Sequence, residues 1–270
     1  MIGNDELTLS ISNGIATITI SRPEKRNAFN LEIWLGLSKI VDQALSDLNI
    51  RVLVVRGSPG ADFSVGGDIT EFSTERQGIE RATAYSDAVL QASERFSTSA
   101  IPTIAAIEGF CVGGGCQLAL ACDLRMASSA AVFGITPAKL GIVYSLSATK
   151  RLVDTVGPSW ARYLLLTARM VSAREAAAMG LIHEIHEPDA FENSVDVMAQ
   201  TVASLASSTH SATKRIVELI TLGAVGDGEE TSKLYQDSYV SDDYLEGLRA
   251  FLDGGPPKFN TRLPRGGSAI

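Results

Sequence analysis

Residues 109–126 read Gly-Phe-Cys-Val-Gly-Gly-Gly-Cys-Gln-Leu-Ala-Leu-Ala-Cys-Asp-Leu-Arg-Met. Three consecutive glycines, Gly113 to Gly115, run directly into an apolar helical pattern at Leu118, Ala119, Leu120 and Ala121. Glycine lets the backbone approach a neighbour or a ligand closely. A helix N-terminus adds unpaired N–H groups and the positive end of the helix dipole. Together they form a place that can hold developing negative charge on oxygen. A tight strand-to-helix turn with close packing accounts for the same residues equally well.

Outward from this stretch, strand and helix patterns alternate. Leu7–Ile11 and Ile15–Ile20 flank Asn13-Gly14, a strong hairpin signal. Apolar positions at Leu31, Trp34, Leu35, Leu37, Ile40, Val41 and Leu45 predict a helix over 31–48. Val52–Val55 reads as a buried strand, 57–68 as a polar glycine-containing loop, 78–97 as a helix and Thr103–Ile107 as a strand. This order predicts an α/β fold with parallel strands joined by crossover helices. Beyond Gly141 helices dominate, at about 146–156, 158–167, 172–179, 188–206, 210–222 and 230–253. The break at Glu187-Pro188 divides a core, 1–187, from a helical C-terminal part, 188–270, whose Gly/Ser/Arg-rich tail after about 260 is expected to be mobile.

Composition bounds the function. With 45% apolar and 20% charged residues in 270, the chain is globular. A net charge of −8 without a long Lys/Arg run argues against nucleic acid as a partner. No run of about 18 apolar residues spans a membrane. The N-terminal Met-Ile-Gly-Asn-Asp-Glu lacks the basic and apolar regions of a signal peptide, so a cytoplasmic location is expected. Cys111, Cys116 and Cys122 match no zinc spacing and read as small buried hydrophobes; no metal site is expected. His183 and His186 fit exposed strand positions.

Three further motifs accompany the glycine run: Ser21-Arg22-Pro23-Glu24-Lys25-Arg26-Asn27-Ala28, Phe63-Ser64-Val65-Gly66-Gly67-Asp68-Ile69, and Phe133-Gly134-Ile135-Thr136-Pro137-Ala138-Lys139-Leu140-Gly141. In this order and spacing they closely resemble the crotonase (enoyl-CoA hydratase/isomerase) superfamily over roughly residues 5–260. The resemblance implies a crotonase (ClpP-like) spiral of ββα units. It also implies a C-terminal helical region that assembles homotrimers or dimers of trimers. The implied substrate is an acyl-CoA thioester, with coenzyme A part of the substrate and no separate cofactor. Its carbonyl oxygen would be held by the backbone N–H groups of Val65 and Gly114. Lys25, Arg26, Ala28, Gly67, Asp68 and Ile69 would flank the coenzyme A, joined by Phe251 and Lys258 from the helical tail. Asp68 fits a loop or helix-cap role better than that of a catalytic carboxylate.

The hydratases of this superfamily use two glutamates, and here those positions hold Gln117 and Ala138. Neither residue can accept a proton at neutral pH, so conventional water addition is disfavoured. Gln117 remains a pocket residue able to orient substrate or water. The segment ending in Tyr144 resembles the methylmalonyl-CoA decarboxylase branch, in which a tyrosine contacts the substrate carboxylate; that branch carries histidine where this chain has Gly67. Decarboxylation of a malonyl- or methylmalonyl-type CoA is therefore the expected reaction. An enoyl-CoA isomerase using a displaced base such as Glu71 or Glu94, an atypical hydratase, and a non-catalytic acyl-CoA binder are the alternatives.

Overall fold

The computed structural model describes residues 6–260. Asn13 and Gly14 both take positive φ, 50° and 77°, which matches the twist of a two-residue hairpin between β1 (Leu7–Ser12) and β2 (Ile15–Ile20). β2 then pairs in parallel with β3 (Val52–Gly57), β3 with β4 (Thr103–Ile107), β4 with β6 (Leu124–Ser128), and β6 with β9 (Glu184–His186). The result is a six-stranded sheet in the order β1-β2-β3-β4-β6-β9. A second sheet of three strands joins β5 (Phe110–Val112), β7 (Val132–Gly134) and β8 (Met170–Ser172). The chain steps from the large sheet to the small one twice, β4 to β5 and β6 to β7, with a helix after each step. This is the expected ββα spiral.

The helices are α1 (Leu31–Ser46), α2 (Phe72–Glu75), α3 (Gly78–Ser97), α4 (Gly114–Ala121), α5 (Leu146–Thr167), α6 (Ala173–Ala178), α7 (Pro188–Ser204), α8 (Ser207–Thr221), α9 (Glu229–Tyr239) and α10 (Asp242–Asp253). Strand alternation sorts them into layers. Leu53 and Val55 of β3 face a large core with Trp34 and Leu37 of α1 and Tyr85 and Phe96 of α3. Val52 and Val54 face the other way, against Phe191, Val195 and Ala199 of α7. α7 thus closes the second face of the sheet. The division at Glu187-Pro188 falls between elements that pack together, because the apolar face of α7 needs the even-numbered face of β3.

Other differences have local causes. The predicted helix 230–253 is two helices, because Ser241 leaves the helical conformation and caps α10 by accepting from the Tyr244 N–H at 3.1 Å. The predicted helix 172–179 starts one residue later, since Ser172 ends β8 and forms a capping box with Glu175. Gly157 breaks α5 where a division was expected. The tail after about 260 lies outside the described residues. No helix among the described residues is long and apolar enough to cross a membrane.

If α7 belongs to the core, Phe191→Ala, emptying a fully buried position, should cost about 3–5 kcal/mol of the main cooperative unfolding transition in urea. A separately melting appendage would leave that transition in place.

Candidate active site

The site is built where two backbone turns meet. After β3 the chain crosses to the small sheet: the Ser64 N–H donates to Phe110 O and Ser64 O accepts from the Val112 N–H. It then runs beside Phe29, whose N–H donates to Gly66 O at 2.7 Å and whose carbonyl accepts from the Asp68 N–H at 2.8 Å. Because Gly66 O and Asp68 N face Phe29, the N–H of Gly67 between them projects from the opposite edge. No described residue accepts it.

The second turn joins β5 to α4. Gly113, with φ 52°, donates to Gly134 O at 2.8 Å, and Gly114 opens α4 with no intrahelical acceptor for its N–H. The turns approach too closely for side chains. A Cβ on Gly66 would lie 2.8 Å from Val112 O and 3.1 Å from the Gly114 nitrogen. A Cβ on Gly114 would lie 3.0 Å from Cζ2 of Trp34 and 3.6 Å from the Gly67 nitrogen. Gly67 and Gly114 line one cavity of about 180 Å³.

Val65, expected as a donor, is not available. Its N–H donates to Arg26 O at 3.2 Å. The unpaired amide of this turn is two residues on, at Gly67, beyond the positive φ of Gly66.

Gln117 is buried on α4 and lines the cavity, its Nε2 lying 3.4 Å from Ser93 Oγ. Tyr144 lines it too, but its hydroxyl donates to Gly113 O at 3.2 Å. Burial, with Cys116 and Cys111 nearby, pushes this phenol well above its ordinary pKa against a smaller opposing effect of Arg151, so it stays protonated. Ala138 lies on an exposed turn outside the lining. Glu71 accepts from the Leu31 N–H at the start of α1, and Glu94 lines a different hollow. Among the described residues no carboxylate lines the cavity, and the one charged lining residue is Arg76.

The expected coenzyme A contacts fall into two groups. Residues 25–28 and 67–69 are neighbours, joined by the Phe29–Gly67 bridge. Ile69 is exposed at the cavity rim, Ala28 is buried, and Lys25 is half exposed, 4.0 Å from Asp68. Arg26 is engaged by Asp62 at 2.7 Å and stacks on Phe110. Asp68 caps the 3₁₀ turn Ile69–Glu71 through the Thr70 N–H and binds Arg22 at 2.7 Å. Burial would raise its pKa, but the hydrogen bonds from Thr70 and Arg22 outweigh that and hold it low. Phe251 and Lys258 lie at the exposed end of the C-terminal helices and do not line this cavity.

His183 Nδ1 accepts from the Arg125 N–H, and His186 pairs with Glu184. Among the described residues no cluster could hold a metal ion. Arg76 was missed from sequence: in Glu75-Arg76-Gln77 it looks like one charge in a solvated loop, and nothing local marks it as a pocket residue.

The enoyl-CoA hydratase/isomerase family model matches residues 10–262. The (E)-benzylidenesuccinyl-CoA hydratase of Thauera aromatica is 35% identical over 215 residues, covering 79% of this chain and 82% of that protein. The human mitochondrial methylglutaconyl-CoA hydratase is 31% identical over 262 residues, covering 92% of this chain and 74% of that one. A crystal structure from Hyphomonas neptunium, assigned to the same family, superposes with a TM-score of 0.92 at 36% identity, over 95% of this chain and 98% of the other. With the paired glycine turns in place and the match spanning nearly every residue, the chain belongs to the enoyl-CoA hydratase/isomerase (crotonase) family.

Proposed function

We propose that this enzyme binds an acyl-CoA thioester with its carbonyl oxygen between the N–H groups of Gly67 and Gly114, and decarboxylates a malonyl- or methylmalonyl-type substrate. The observation that carries this is a cavity with two unpaired backbone donors and, among the described residues, no carboxylate. When the C–C bond to the carboxylate breaks, its electron pair becomes the thioester enolate and CO₂ leaves. Negative charge then grows on the oxygen that the two amides face. Fixed donors stabilise it most at that moment, and losing one costs about 10²–10³ in rate. A proton from water or a cavity hydroxyl completes the reaction. No base is required, and coenzyme A enters only as part of the substrate.

Tyr144 acts on the same oxygen indirectly. Its hydroxyl binds the carbonyl of the Gly113–Gly114 peptide, whose N–H is the proposed donor. A hydrogen bond to a peptide carbonyl polarises the unit and strengthens its N–H as a donor. Tyr144 is thus a positioning residue, and Gln117 the group that orients the acyl chain.

Water addition is the second reading, supported by relatives named as hydratases. In it Gln117 would hold a water that no carboxylate deprotonates. Isomerisation loses support because Glu71 and Glu94 stand outside the cavity. Mass spectrometry of malonyl-, methylmalonyl- and crotonyl-CoA after incubation separates these. Loss of CO₂ supports decarboxylation, gain of water supports hydration, and binding without turnover leaves a silent binder.

On the reactive substrate, Gly114→Ala should lower turnover by about 10²–10³ through displacement of one donor. Tyr144→Phe should lower it about 2- to 5-fold, since it weakens that donor by a fraction. Steady-state kinetics check both; equal losses would sink the indirect role of Tyr144. The family's trimer or dimer of trimers is also proposed here, because α9 and α10 expose Tyr239, Tyr244, Leu245, Phe251 and Leu252. Sedimentation at the mass of one chain would refute it.

A further inference from the structure

Arg76 follows α2 and is the one charged residue lining the cavity among the described residues. Its guanidinium carbon sits 4.0 Å from the centre of the Phe72 ring and 4.1 Å from that of Tyr85. Its Nε is buried and has no hydrogen-bond partner. The other arginines near this site are paired differently: Arg22 binds Asp68 and Arg26 binds Asp62. Arg76 has no carboxylate partner among the described residues.

Two aromatic rings, set 76° to each other with centres 6.1 Å apart, flank the guanidinium on adjacent sides and favour a cation. Apart from a hydrogen bond to the Tyr85 side chain, the guanidinium is left to find an acceptor, and its buried Nε–H has none, which is costly. Among the described residues the lining offers no Asp or Glu to fill that need. The supports are rigid. The Tyr85 hydroxyl donates to Phe29 O at 3.1 Å and accepts from Trp34 Nε1 at 3.2 Å. The rings also abut the thioester end of the site, since a Cβ on Gly67 would lie 3.0 Å from Phe72 Cζ and 3.4 Å from the Tyr85 oxygen. A planar cation is therefore held one aromatic side chain away from a proposed oxyanion donor.

We infer that Arg76 is the receptor for a carboxylate on the acyl chain, so that the enzyme selects coenzyme A monothioesters of dicarboxylic acids over plain fatty acyl-CoAs. This rests on the thioester reading above and holds whichever reaction follows. It assigns carboxylate recognition to a residue other than Tyr144, whose hydroxyl is engaged by Gly113. A guanidinium matches a carboxylate through paired, charge-assisted N–H···O bonds.

The test is calorimetric binding of matched pairs: malonyl- with propionyl-CoA, succinyl- with butyryl-CoA, and glutaryl- with valeryl-CoA. At one chain length or more, the carboxylated member should bind wild-type enzyme about 10- to 100-fold more tightly. Arg76→Gln should collapse that ratio to near one. Arg76→Lys, which keeps the charge, should restore part of it and so separates lost recognition from lost folding. Binding of both members without preference, or a preference that survives Arg76→Gln, overturns the Arg76 assignment and leaves the thioester reading standing. Failure of every acyl-CoA to bind overturns both.

Discussion

Two glycine-bearing turns cross with no room for a side chain between them, and the site depends on that crossing. Gly66 reaches the β5–α4 turn with φ 96°, a conformation that a residue bearing Cβ rarely takes, and any Cβ there would meet Val112 O. Gly115 is closed off in the same way by Ser64 O, 2.7 Å from where its Cβ would be. The ladder bonds of Ser64 to β5 and of Phe29 to the Gly66–Asp68 segment lock both turns to the two sheets. Fixing the turns this firmly is what leaves the N–H groups of Gly67 and Gly114 unpaired beside a cavity. In a looser turn they would rotate to an acceptor or to water.

The surroundings keep that geometry from relaxing. Trp34 stands against Gly114 on one side and is tied through Tyr85 to Phe29. On the other side the Gly113 carbonyl accepts from both Tyr144 and the Gln117 N–H. Asp68, with Arg22 and Thr70, pins the loop just past Gly67. Each of these contacts lies outside the reacting atoms, yet each sets the direction in which a backbone dipole points.

Long periodic elements and glycine-rich turns were legible in the sequence; short and relational features were not. The hairpin, α1, α3, β4 and α4 carry hydrophobic periods of several residues or a turn dipeptide that admits few conformations. Strands as short as β5, β7 and β8 carry too little alternation to register. Val65 and Gly67 show the limit at the site. A motif places the donor on the loop, but which amide is unpaired depends on the bond to Arg26 O, made with a distant part of the chain. Arg76 is relational in the same sense: its meaning comes from Phe72 and Tyr85, and the latter arrives from α3.

The electrostatics of the cavity then constrain its chemistry more tightly than any one residue does. Two amide donors, one of them at the N-terminus of α4, and one guanidinium favour negative charge, and among the described residues no lining carboxylate opposes them. Such a cavity stabilises an enolate once formed, but none of its described lining residues carries a carboxylate or imidazole to form one by removing a proton. Tyr144 stays protonated, Gln117 has no basic lone pair near neutral pH, and the candidate glutamates face elsewhere. In the proposed reaction the enolate arises by a route that supplies its own electron pair. Cleavage of a carbon–carbon bond to a departing CO₂ does so. Abstraction of a proton by the protein does not.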